Sequence, residues 1–418
     1  MTAFTAPLFS QSVNMRLNSF FYTWERADSI GISTNHIRGY QNASFDINGG
    51  KWSFNTWMQA GEDLSNKIDR GFEFTLYNAY IKGSDLFGMM DLKLGRQFLY
   101  AGVGKGPLDG VLLKFKAGKK KEYQFTAYGG FNTPAAYDFK NYGSLGNDFL
   151  LGANFGYYGT QGLVANLSYM DKHKNQKSNA APRLDSIFNT TEIEIEPDDK
   201  MFTLAGVDFN YAYKQAFNVY GKLYYDINRE LVYKGELNAG YGTGPLRFTA
   251  VYLYREPLIS FNSIFWTFEH KAYQEIEGSV NYQFKSGLNI YGKIADVIFT
   301  DANSLRYQIG VGGPSFGASY IGYSGEAGNS NGFSAYGAYQ FIREILSGTA
   351  SLNYSSYYEG SIEQDKYNAF GATLGLTYRP SRQFAIDAQG QLITNRQYSY
   401  DTRLLVGFSY WLFSNLNK

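Results

Sequence analysis

Apolar and polar residues alternate along almost the whole chain, in runs of about ten separated by turns. Phe370, Ala372, Leu374, Leu376 and Tyr378 alternate with Gly371, Thr373, Gly375 and Thr377. Near the end of the chain, Leu404, Val406, Phe408, Tyr410 and Leu412 repeat the pattern. A period of two puts one set on each face of a strand. Strands of soluble sandwiches are about five or six residues long. Runs of roughly nine to eleven, repeated many times, fit a sheet that crosses a bilayer. The pattern therefore predicts an all-β, antiparallel, up-and-down transmembrane β-barrel.

Alternation and turn punctuation place 22 strands. They run at 12–24, 37–47, 51–61, 71–82, 89–97, 111–117, 121–131, 147–157, 162–171, 201–212, 216–227, 231–241, 245–254, 273–283, 287–298, 304–312, 315–324, 332–341, 346–356, 367–379, 383–393 and 402–413. Short links such as 48–50, 118–120, 213–215, 242–244, 285–286 and 379–381 alternate with long ones at 25–36, 62–70, 98–110, 132–146, 172–200 and 255–272. Short turns on one side and long loops on the other are how outer-membrane barrels are built, and an even strand count puts both termini on the short-turn, periplasmic side. A hairpin hidden in 172–200 or a mis-split first pair would move the count by two, and 20 strands is the near alternative. Residues 11–418 read as a single barrel domain. Residues 1–10 resemble the tail of a secretory signal peptide, with Ser10 just before a cleavage point, or else a short extension.

The same alternation sorts the faces. Phe217, Val219 and Leu223, Leu237 and Ala239, Ile276, Val280 and Tyr282, and Ile290 and Ile294 fall on the lipid side, as does the neighbourhood of Phe202. A charge on that side at mid-bilayer costs roughly 2–4 kcal/mol. Lys222, Lys234, Glu236, Glu277, Lys293, Asp387 and Arg403 are therefore expected to point inward and line the lumen. Mixed signs on adjacent strands predict cross-strand ion pairs that brace the wall, or a charged eyelet that filters solutes.

Composition agrees. Aromatics make up 18% of the 418 residues, with 37 Tyr, the residue a bilayer interface favours. Glycine is abundant at 46 and proline scarce at 9, as long paired strands require. There is no cysteine, which excludes disulfides, thiolate metal sites and covalent haem attachment, so no cofactor is expected on this chain. Net charge is +1, which gives no reason to expect nucleic acid.

Residues 92–111 read LKLGRQFLYAGVGKGPLDGV, a strand, then Gly95, Arg96 and Gln97, a glycine-rich loop, and Asp109 and Gly110 opening the next strand. This resembles bacterial outer-membrane porins with a GRQ…DG hairpin, including barrels of the alginate-export and porin–cytochrome type. Strict alternation from Leu92 and Leu94 puts Arg96 outward; a bulge at Gly95 would turn it inward, towards a structural ion pair with Asp109. The last strand, with Tyr410, Trp411 and Phe413, is similar to the C-terminal signal read by the barrel-assembly machinery, although residues 414–418 follow it.

Catalysis is not expected. The three histidines, His36, His173 and His270, fall in or beside long loops, away from a serine on a strand and without the spacing of a metal site. With the first strand near residue 12, no plug domain of an energy-coupled transporter is expected ahead of it. Three readings of the lumen stay open. One is a passive channel in the bacterial outer membrane, narrowed by loop 98–110, 172–200 or 255–272. Another is a sheath for a lumen-filling partner such as a multihaem cytochrome. The last is a surface scaffold whose loops bind a partner or ligand, with the barrel as anchor.

Overall fold

Backbone amides inside a bilayer find no water to bond, so a sheet that crosses one has to close on itself. In the computed structural model it does. Residues 12–27, 31–65, 71–134, 137, 139, 142–159, 162–175, 179–184, 190–195, 198–214, 216–260, 263, 271–325, 328–358 and 365–415 are described. The strands are β1 (Ser12–Ala27), β2 (Ser33–Gly49), β3 (Trp52–Ser65), β4 (Glu73–Leu86), β5 (Met90–Ala101), β6 (Gly104–Ala117), β7 (Tyr123–Asn132) and β8 (Phe149–Tyr158). They continue with β9 (Leu163–His173), β10 (Asn179–Leu184), β11 (Thr190–Ile195), β12 (Lys200–Tyr213), β13 (Phe217–Asp226), β14 (Leu231–Thr243), β15 (Leu246–Arg255) and β16 (Tyr273–Gln283). The last are β17 (Asn289–Ile298), β18 (Asn303–Gly312), β19 (Phe316–Gly325), β20 (Ser330–Ile342), β21 (Leu346–Tyr358), β22 (Lys366–Tyr378), β23 (Phe384–Thr394) and β24 (Tyr400–Asn415).

Neighbours in the chain pair antiparallel, β9 pairs with β12, and β1 pairs with β24 from Ser12↔Asn415 to Ala27↔Tyr400, so 22 strands form a closed ring. Among the described residues no helix is long and apolar enough to cross a membrane. The segment 172–200 does hide a hairpin, β10–β11, but it pairs only with itself and leaves the ring at 22. Residues 1–10 lie outside the described part of the chain.

The outer face is apolar all round. Leu167, Leu223, Ile276, Ile294, Ile309 and Leu374 are among its most exposed side chains, with Leu374 reaching 68%. A closed belt of such residues would be a liability in water and is what hydrocarbon demands. Leu374→Arg, between Phe370 and Tyr378 on the same face of β22, is therefore expected to destabilise the barrel by roughly 2–4 kcal/mol, read from urea unfolding in liposomes.

Two bulges break the alternation and turn aromatic rings inward. Tyr224 pairs with Lys234 but Tyr225 with Val232, which leaves Tyr233 as an extra residue, 7% exposed. Between Trp57↔Asn78 and Met58↔Leu76, Tyr77 is extra in the same way and stacks on Trp57 at 4.2 Å.

Candidate functional site

The interior of a wide barrel should be polar, yet a cluster of buried apolar residues lies there. Leu99, Ala101, Val103 and Leu108 pack with Tyr128, Leu150, Met170, Leu204 and Tyr233. The last five come from β7, β8, β9, β12 and β14. On those strands the other register is the exposed one, with Phe125, Leu151, Leu167, Tyr169 and Val207 all at 39% or more, so the packed residues face inward.

The first four come from the β5–β6 hairpin. The expected loop 98–110 is thus mostly strand, with only Gly102 and Val103 between β5 and β6. The hairpin outgrows its neighbours and folds over into the barrel, which brings β6 against β8 and β9, strands it does not pair with. Leu99, Ala101 and Val103 then press on the wall from one side of the tip, and Leu108 from β6. Phe98 and Tyr100, at 47% and 84% exposure, are left on the opposite side, towards the channel axis. Phe202, expected on the lipid face, packs against this cluster instead.

Close approach explains the glycines of the tip. Gly102 has φ +65, and a Cβ there would lie 2.2 Å from Ser168 Oγ. That hydroxyl accepts the Val103 N–H at 3.0 Å and donates to the Gly206 carbonyl at 3.3 Å, tying tip to wall.

At the root of the fold-over sits Arg96, 3% exposed. It is registered opposite Asp109, and the register runs unbroken through Gly95, so no bulge is inserted; Gly95 adopts φ 120 instead. Arg96 grips Asp109 with two parallel bonds, Nε–Oδ1 and Nη2–Oδ2, both 2.8 Å. It also donates to the Leu76 carbonyl at 3.1 Å, the Tyr137 carbonyl, and the Tyr142 hydroxyl at 2.9 Å. The Phe139 ring lies 4.5 Å away, and Thr133 and Tyr142 donate to Asp109. The β7–β8 connection thus roofs the ion pair. Gln97, 1% exposed, reaches the Gly110 carbonyl at 3.4 Å.

The charged candidates fall into separate groups. Lys222 and Glu236 are direct register partners, 3.6 Å apart, and Lys234 reaches Glu236 at 3.2 Å. Glu277 lies 3.9 Å from Lys293 and 2.7 Å from Arg306, which also bonds Glu275. Asp387 accepts from Thr377 at 2.6 Å, and Arg403 pairs with Asp401 at 2.7 Å. Each of the seven occupies the register opposite to the exposed apolar residues of its strand, apart from Phe413 at the very end of β24, which shares the register of Arg403. Sequence reasoning missed Arg306, the hub of the second group, and the basic set Lys82, Lys93 and Lys114, of which Lys82 and Lys93 are directly opposed.

Of the histidines, His36 stacks on Trp24 at 4.9 Å. His173 stacks on Phe149 at 4.4 Å, between Asp171 at 3.3 Å and Asp199 at 3.2 Å. Nearby, outside the wall, the Lys200 backbone N–H holds the Asp198 carboxyl below its ordinary range. His270 lies outside the described residues. Among the described residues no group of three or more His, Asp or Glu could hold a metal.

No family model and no curated protein matches the chain. Solved barrels do, over nearly their whole length. The chain is similar to the translocation pore of the P pilus usher PapC, at 10% identity over 96% of this chain and 99% of that one, TM-score 0.48. A BenF-like porin from Pseudomonas fluorescens Pf-5 is 10% identical over 97% and 100%, TM-score 0.48. Pseudomonas aeruginosa OpdK, solved with vanillate, is 10% identical over 96% and 99%, TM-score 0.45. At such identities the likeness is one of barrel architecture.

Proposed function

We propose that the protein is a porin-type channel of the bacterial outer membrane, admitting small hydrophilic solutes passively, with both termini periplasmic. It acts without catalysis and without a cofactor of its own. The observation that carries this reading is the inward-folded hairpin. A ring of 22 strands is roughly 40 Å across at the backbone. Left empty it would leak, and the hairpin narrows it by a layer roughly 10 Å thick without sealing it. Polar side chains over the remaining inner wall keep the gap wet. The barrel-assembly machinery would read β24, with Trp411 and Phe413, during insertion.

The sheath reading is not adopted, because part of the lumen is already taken by the chain's own apolar tip. Purified protein in a planar bilayer, with an absorbance scan for haem, tests the choice. A steady ohmic conductance without haem is expected. A silent, folded barrel that brings down haem or a second chain would overturn the proposal.

A further inference from the structure

Charge is distributed unevenly around the lumen. Strands β19, β20 and β21 contain no Asp, Glu, Lys or Arg at all, and β22 contains only Lys366, its first residue. Their inward positions are uncharged, mostly hydroxyls, amides and glycines, with Ile321, Tyr336, Ala338 and Ala369 among them. Ser319, Ser334, Asn353, Gly371 and Gln391's neighbour Thr373 follow one another across the registers Ser319↔Ser334, Ser334↔Asn353, Asn353↔Gly371 and Thr373↔Gln391. All but Ser319 line a recess of about 450 Å³, which also takes in Gly332 and Ser355 and the apolar Ile321, Ala369 and Ile393. No side-chain hydrogen bond among the described residues engages Asn353, Thr373 or Gln391, so their donors and acceptors are open to the lumen.

The position of this arc matters as much as its chemistry. In the ring order, β20, β21 and β22 stand half-way round from β7, β8 and β9, the wall on which the hairpin tip lies. The gap left by the tip is therefore bounded on one side by the rings of Phe98 and Tyr100, centroids 4.8 Å apart, and on the other by a charge-free wall rich in hydroxyls and amides. The ion-pair groups stand on other arcs, where acid and base largely neutralise one another.

We infer that solutes travel along the β19–β22 wall, and that the channel favours neutral polyhydroxylated molecules of the sugar class. A pyranose ring presents C–H faces that suit aromatic rings and an edge of hydroxyls that suits Ser, Thr, Asn and Gln. A charged solute finds no counter-charge at the inward positions of β19–β22 themselves, and the acid that borders them, Asp387 of β23, already accepts from Thr377. The inference rests on the channel reading above and specifies its substrate class and its path.

Charge placed on the arc tests the path. In 0.1 M salt a charge is felt over about 10 Å, less than the width of the lumen. Ser334→Asp is expected to shift the reversal potential in a KCl gradient towards cations, and Ser334→Lys towards anions, each changing the permeability ratio several-fold. Heat-modifiable electrophoretic mobility would verify that both variants are folded. In liposome swelling, wild-type protein is expected to admit glucose faster than gluconate or glucosamine, solutes of similar size and opposite charge. Reversal potentials that stay put in both folded variants, or either charged solute outrunning glucose, would overturn the inference while leaving the channel standing. Folded wild-type protein that neither conducts nor admits any of the three solutes would sink the channel reading and this inference with it.

Discussion

Replacing residues 98–108 by a two-residue turn should raise the single-channel conductance by a factor of about two, because it removes a layer of strand and side chains from one wall of the lumen. The ring itself should survive. β5 and β6 keep their pairing from Met90↔Phe115 to Arg96↔Asp109, and none of the deleted residues closes the barrel. The cost is local: Tyr128, Leu150, Met170 and Leu204 lose their apolar cover and face water. Gly102→Val is the milder version. Its side chain would collide with Ser168 and lift the tip without shortening the chain, so the expected signature is a flickering current between the wild-type and deletion levels. An unchanged conductance in the folded deletion variant would mean that the tip lies outside the conduction path.

The second large effect is expected at Arg96. Its side chain is 2% exposed and that of Asp109 13%, so Arg96→Ala strands a carboxylate in a place nearly closed to water. Breaking a buried pair from one side costs roughly 3–5 kcal/mol. Here the loss falls first on the bend and on its roof, the β7–β8 connection with Tyr137, Phe139 and Tyr142. Arg96→Ala should expose that connection to limited proteolysis and lower the urea midpoint. Arg96→Lys should recover only part of the loss, since one ammonium cannot replace a planar fork that bonds both Asp109 oxygens, two carbonyls and a hydroxyl. Removing Asp109 as well should restore some stability, because no unpaired charge then remains buried. If the single and double variants unfold alike, the pair does not act as a unit.

The ring was legible in the sequence because lipid imposes a strict rule on one face. Leu374, Ile276 and Leu223 have no alternative place, and the charges at Glu277 and Lys222 follow by exclusion. The folded-over hairpin was not legible, because Gly102, Gly104, Gly106 and Pro107 read as an irregular loop. A signal was present elsewhere. Phe149, Leu150 and Leu151 are consecutive apolar residues in a strand that should alternate, and Leu150 is the one covered by the tip. Phe202 misled for the same reason, since an apolar residue facing an apolar lumen patch looks like a lipid contact. The neutral arc is visible as a run from Phe316 to Tyr378 in which Glu326, Arg343, Glu344, Lys366 and a few loop residues carry all the charge, a regularity that strand-by-strand reading passes over.

The seam between β1 and β24 has a consequence for how such a chain is made. All other ring pairs join segments close in sequence, so each hairpin can form as soon as its second strand is present. The seam joins Ser12 to Asn415, the longest-range pairing in the molecule, and its loop-closure entropy is the largest. Until β24 is available, the growing sheet carries two open edges, each a template for mispairing and intolerable in lipid. Loss of the final strand would therefore leave no slightly smaller barrel, only an unsealed sheet. The seam works as a length check: chains that end early fail to close and stay exposed to proteases, and only chains that reach the last strand are locked into the membrane.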